Sequence, residues 1–151
     1  MKRLLIPAVC VLAVACTSRG HLYDSAAPLA VRMARSEIAR NPSPTTLDGI
    51  PAGKIKWNYT TGLELLAIAD AGEACDIPEF TAYADRYFDT IVQPDGSVLT
   101  YRKSKYNLDH ICPGRALFGL YDRTGDARYK TVLDTLFAQL QEQPRNADGG
   151  F

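Results

Sequence analysis

Apolar residues recur at steps of three and four along most of the chain, so the pattern predicts helices separated by short polar breaks. The first helix is expected from Ser25 to Asn41, with Leu29, Met33, Ala34 and Ile38 on one face and Arg32, Arg35 and Arg40 pointing elsewhere. Asn41-Pro42-Ser43-Pro44 ends it, because a residue before proline is pushed out of the helical region. A second helix starts at Thr60 or Thr61, where Thr61-Gly62-Leu63-Glu64 fits a capping box. Leu63 to Ala71 is apolar almost all round, as in a helix packed on several sides.

Pro78 opens the third helix at its first position. Its stripe is Phe80, Tyr83, Ala84, Tyr87, Phe88 and Ile91. Gln93-Pro94-Asp95-Gly96 is a turn, and Ser97 to Tyr101 reads as a short strand or an extended loop. The fourth helix begins near Asp109 or His110 and runs to about Arg123, apolar on most sides through Ala116, Leu117, Phe118, Gly119, Leu120 and Tyr121. Thr124-Gly125-Asp126 is a helix stop followed by an N-cap. The fifth helix sets Tyr129, Val132, Leu133, Leu136, Phe137 and Leu140 against Lys130, Asp134, Gln139 and Gln141, and Pro144 stops it.

These elements repeat. Gly62 aligns with Gly114, Asp70 with Asp122, and Asp95-Gly96 with Asp148-Gly149, at an offset of 52 to 53 residues. Each unit is an extended loop, an almost wholly apolar helix, a turn, an amphipathic helix and an Asp-Gly loop. That order suits an inner ring of buried helices wrapped by an outer ring of half-exposed ones. Such repeats bury their faces against neighbours, so a short array leaves faces uncovered. The expected fold class is therefore all-α, an incomplete toroid of helical hairpins with about five helices present and a truncated C-terminus. A small helical domain complete in itself is the alternative.

The N-terminus changes the domain picture. Met1-Lys2-Arg3 is basic, Leu4 to Val14 is a short apolar run, and Ala13-Val14-Ala15-Cys16 precedes a polar stretch. Residues 1–15 read as a secretory signal and 16–25 as a linker before a domain over 26–151. The ending resembles a bacterial lipobox, which would make Cys16 the acylated first residue and place the protein in the periplasm or cell envelope, membrane-bound only through that lipid. A plain signal peptide is the alternative. Of four cysteines, only Cys75 and Cys112 remain for the fold, as one bridge or as two buried thiols. No C-x-x-C pair or His/Cys cluster suggests a metal site. Zero net charge gives no electrostatic case for binding nucleic acid.

The candidate chemistry lies in Tyr106-Asn107-Leu108-Asp109-His110-Ile111-Cys112-Pro113-Gly114-Arg115, a polar loop entering an apolar helix. Asp109 could serve in catalysis, or as a helix N-cap. His110 could meet a ligand hydroxyl or be structural. Trp57 and Tyr59 could stack on a ligand ring, or belong to the core. Arg145 could meet a carboxylate or pin its own loop.

Several motifs then occur in one order: Trp57-Asn58-Tyr59 before Gly62, Tyr106-Asn107-Leu108-Asp109 with Pro113-Gly114, Leu117-Phe118-Gly119-Leu120-Tyr121, Thr124-Gly125-Asp126, Tyr129, Gln143-Pro144-Arg145 and Gly149-Gly150-Phe151. Together they resemble the unsaturated rhamnogalacturonyl hydrolases of glycoside hydrolase families 105 and 88, the six-hairpin (α/α)6 toroids, over about Ala26 to Phe151. The resemblance implies removal of a 4,5-unsaturated uronic acid from lyase-generated pectin oligosaccharides, with no metal or cofactor. An Asp protonates C4 of the double bond, water adds at C5, and the hemiketal opens. Asp109 matches a family Asp that holds the unsaturated sugar and assists the chemistry. The family's main proton donor follows the Gly-Gly-Phe motif, beyond Phe151, so this polypeptide alone is expected to lack activity. A lipid-anchored helical protein that binds sugars or acts structurally, without catalysis, is the competing class.

Overall fold

Five α-helices carry the described part of the chain, residues 26–150 of a computed structural model: α1 Leu29–Arg40, α2 Tyr59–Ala74, α3 Pro78–Ile91, α4 Gly114–Thr124 and α5 Ala127–Glu142. Short 3-10 turns punctuate the loops at Pro44–Gly49, which is kinked at Leu47 and Asp48, and at Lys103–Lys105 and Leu108–His110. The signal and linker expected over residues 1–25, with Cys16, lie outside the described residues, as does Phe151. Among the described residues no helix is long and apolar enough to cross a membrane.

Local chemistry sets most boundaries as expected. Pro78 occupies the start of α3, where its missing N–H costs nothing. Gly125 ends α4 in the left-handed region at φ 65°, and Asp126 caps α5 by accepting from the Arg128 amide at 2.9 Å. All six residues of the expected α3 stripe are buried.

The helices form two layers. α2 and α4 run side by side, with their starts together: a Cβ on Gly62 would lie 2.6 Å from Pro113 Cα, so only glycine permits this approach. α3 packs on α2, and α5 packs on α4. α1 flanks α2. Between them lies a core in which Trp57, Leu65, Tyr87, Phe88 and Leu117 are almost fully buried. Burial of each such side chain contributes about 1.5–3 kcal/mol. The Phe88 ring meets the edges of Trp57 at 6.2 Å and Tyr87 at 5.2 Å. The two Asp-Gly turns of the repeat match as well, with Gly96 and Gly149 both at positive φ. After the first turn, Val98 makes one isolated antiparallel bridge to Val92, but Leu99-Thr100 then turns, with Thr100 at φ 66°, so the strand or extended loop expected over Ser97 to Tyr101 is broken there.

Several expectations are corrected. α2 begins at Tyr59 after Asn58, so Thr61 and Glu64 fall too deep for a capping box; Thr61 is fully buried, and its hydroxyl has no partner. In α1 the buried positions are Val31 and Ala34, while Leu29 and Met33 are exposed. Phe118 and Phe137 are more than half exposed, whereas Gln139, expected outside, is completely buried. Cys75 and Cys112 are free thiols, each half-buried.

Candidate active-site loop

The loop before α4 is built from its backbone outward. Tyr106 takes a left-handed conformation at φ 49°, and its amide donates to Lys103. Asn107 then caps the turn Leu108–His110: its side-chain oxygen accepts from the Asp109 amide at 3.0 Å, and its carbonyl accepts from the His110 amide at 3.1 Å. The N-cap role open to Asp109 thus belongs to Asn107, and α4 starts only at Gly114. The Asp109 side chain is left exposed, with no hydrogen-bond or ion-pair partner among the described residues.

Two buried side chains tether this turn from opposite sides. The Trp57 indole donates to the His110 carbonyl at 2.7 Å, and the Trp57 amide donates to the Thr100 hydroxyl at 2.8 Å. From α5, the Gln139 amide donates to the Asn107 carbonyl at 3.1 Å, while the Tyr101 hydroxyl donates to the Gln139 oxygen at 2.9 Å. Gln143 adds a bond to the Tyr106 carbonyl at 2.9 Å, and Lys103 pairs with Glu142 at 2.5 Å. The loop is thereby fastened to both repeats.

His110 is half-buried beside the Tyr101 ring, 6.0 Å between centroids, and its Nδ1 is buried without a partner. Burial pushes its pKa below the ordinary value; the Asp109 carboxylate pulls it upward and Lys56 pushes it down. The neutral ring is favoured next to an open carboxylate.

The structure brings Trp57, Asp109 and His110 into one locus. Trp57 is not a sugar platform: its ring is 0% exposed, so neither face can meet a pyranose. Tyr59, the first residue of α2, is 45% exposed and keeps a free surface. Arg145 is exposed and donates to the Gly149 carbonyl at 2.7 Å, pinning its own loop. Gln143, two residues earlier, ties that loop to the Asp109 loop. Four clefts elsewhere on the surface are lined by neither Asp109 nor His110.

Sequence reasoning missed Tyr101, Asn107, Gln139 and Gln143 as supports of the site. One signal was available: the 52-residue offset places Gln139 opposite Tyr87, which was read as core.

The repeated inner and outer helices and the loop before α4 find their match among known proteins. The model of Glycosyl Hydrolase Family 88 covers residues 29–151. The chain belongs to this family. A solved structure of a glycoside hydrolase from family 105 of C. acetobutylicum ATCC 824 superposes with a TM-score of 0.68 at 30% sequence identity, over 79% of this chain. The match spans 31% of that protein's length. Its fold class is accordingly shared: the two helical layers of this family 88 chain are an arc of an all-α toroid of paired helices.

Proposed function

We propose that this family 88 chain supplies the Asp109 wall of an unsaturated uronyl hydrolase site, acting on the 4,5-unsaturated uronic acid at the end of lyase-generated pectin oligosaccharides. The observation that carries this reading is Asp109 itself, an open carboxylate on a turn fastened by two buried side chains. A free carboxylate on a rigid turn is suited to grip sugar hydroxyls beside the double bond without first breaking a bond of its own. In the reaction a carboxylic acid delivers a proton to C4, water adds at C5, and the hemiketal opens to release the sugar. Tyr59 offers an exposed ring to the same substrate, and His110 offers a neutral imidazole. The proposal extends to the N-terminus, with Cys16 acylated after removal of residues 1–15 and the protein held at the periplasmic or cell-envelope side of a membrane.

By the resemblance, Asp109 matches the family Asp that holds the unsaturated sugar, not the main proton donor. The 151-residue polypeptide on its own is therefore expected to bind the substrate without turning it over. The test is titration with an unsaturated galacturonyl-rhamnose disaccharide, following NMR shifts for binding and the ultraviolet absorbance of the double bond for turnover. Saturable shifts around residues 106–111, weakened by Asp109→Asn, support the reading; no binding to the wild-type chain overturns it. Steady loss of the absorbance would show that a second carboxylate is not required.

A further inference from the structure

We propose that Gln139 is the positioning residue of the Asp109 turn, joining Tyr101 to the Asn107 carbonyl through one buried side-chain amide. The inference rests on the functional reading above for its meaning, but its geometry stands without it.

Gln139 is polar and 0% exposed, in the last turn of an outer helix. A buried primary amide is costly unless its hydrogen-bonding capacity is used. Here its oxygen accepts from Tyr101 at 2.9 Å and its nitrogen donates to Asn107 at 3.1 Å, with a longer contact of 3.5 Å to Gln143. The Asn107 carbonyl also accepts from the His110 amide at 3.1 Å, so Gln139 holds the acceptor on which the 3-10 turn closes. Asn107 in turn caps Asp109 through its side chain. The other branch reaches the site as well, because the Tyr101 ring lies against His110.

The repeat gives an internal comparison. In the first unit the equivalent outer-helix residue is Tyr87, whose hydroxyl donates to the Lys56 carbonyl at 2.7 Å, in the loop before α2. Both units therefore tether the loop ahead of the inner helix from the same position of the outer helix. The Tyr87 hydroxyl makes that one bond, whereas the Gln139 amide uses separate atoms to accept from Tyr101 and donate to Asn107, so in the second unit the same position also orients Tyr101. The added connection occurs in the unit that carries Asp109.

The experiment compares wild type with Gln139→Leu and Tyr101→Phe in the 151-residue chain, using the His110 ring titration by NMR, helix content by circular dichroism and binding of unsaturated galacturonyl-rhamnose. With Gln139 removed, Tyr101 loses its anchor and uncovers His110, on which the Asp109 and Lys56 charges act in opposite directions. The His110 midpoint is expected to rise toward its ordinary value in folded Gln139→Leu, and binding is expected to weaken by roughly tenfold, the scale of a lost buried hydrogen bond. Tyr101→Phe should shift the midpoint the same way by less. A folded Gln139→Leu whose His110 titrates as in wild type overturns the proposal. If Gln139→Leu does not fold, Tyr101→Phe decides: an unchanged His110 midpoint overturns the proposal. Where His110 moves but the wild-type chain never binds the sugar, Gln139 still positions the turn, and the enzymatic reading of the site falls.

Discussion

The Trp57 indole nitrogen lies 2.7 Å from the carbonyl oxygen of His110 and donates to it. A residue with no exposed surface thus fixes the backbone beside the candidate carboxylate. Replacing Trp57 by Phe keeps an aromatic ring but removes the donor. The part-buried carbonyl is then left short of a partner, at a cost of about 1–3 kcal/mol. Trp57→Ala should cost more, about 3–5 kcal/mol, because it also opens a cavity against Phe88. Urea unfolding checks both; Trp57→Phe as stable as wild type would dismiss the hydrogen bond as a structural element.

The approach of α2 to α4 gives a second prediction. Alanine at Gly62 would gain about 1 kcal/mol of helix propensity, yet its Cβ meets the Pro113 backbone at 2.6 Å. Overpacking of this kind typically costs about 1–3 kcal/mol, and the backbone cannot rotate away, so Gly62→Ala is expected to destabilise. At Gly114 the obstacle is the Leu136 Cδ1 methyl, the end of a flexible side chain. Gly114→Ala should therefore be the milder change. Thermal unfolding orders the pair, and the reverse order would contradict the helix approach described.

Glu64 predicts a pH effect. Its carboxyl pKa is raised above 4.5, first by burial and then by the charges of Glu37 and Asp48. The folded state then holds its proton more tightly than the unfolded chain, so stability falls as pH rises through the interval between the unfolded and folded values. Glu64→Gln removes the ionisation, so its pH curve should be flatter and it should gain on wild type above that interval. Chemical unfolding measured across weakly acidic to neutral pH tests this; parallel curves would refute it.

Asp109 itself should be dispensable for stability, since its carboxylate has no partner among the described residues. Asp109→Asn is expected to unfold like wild type while binding the unsaturated disaccharide roughly tenfold more weakly, as when one charged hydrogen bond is lost. Combined calorimetric unfolding and ligand titration separate the two; a large loss of stability would assign Asp109 a structural role.

How much of this was legible depended on whether a residue's surroundings are local. The α3 stripe, the Pro78 start and the Gly125-Asp126 stop and cap follow from neighbours within a few positions, and each appears where the sequence placed it. α1 carries two apolar stripes, and periodicity cannot say which one is buried; Val31 and Ala34 are, while Leu29 and Met33 are exposed. Gln139 looked like surface because polarity stands in for exposure in a periodic reading. Its burial depends on Tyr101 and Asn107, more than thirty positions away. Trp57 precedes its helix and belongs to no stripe, so nothing in the pattern separated core from sugar platform.

The tethers of the Asp109 turn come from 53 positions upstream and 32 downstream. Neither is a contact that a growing segment can make by itself, and closing such long loops carries an entropic cost before any bond rewards it. The turn has local bonds of its own but is held from both sides only once the two hairpins have docked, so a signal from the His110 ring reports the assembly of the arc.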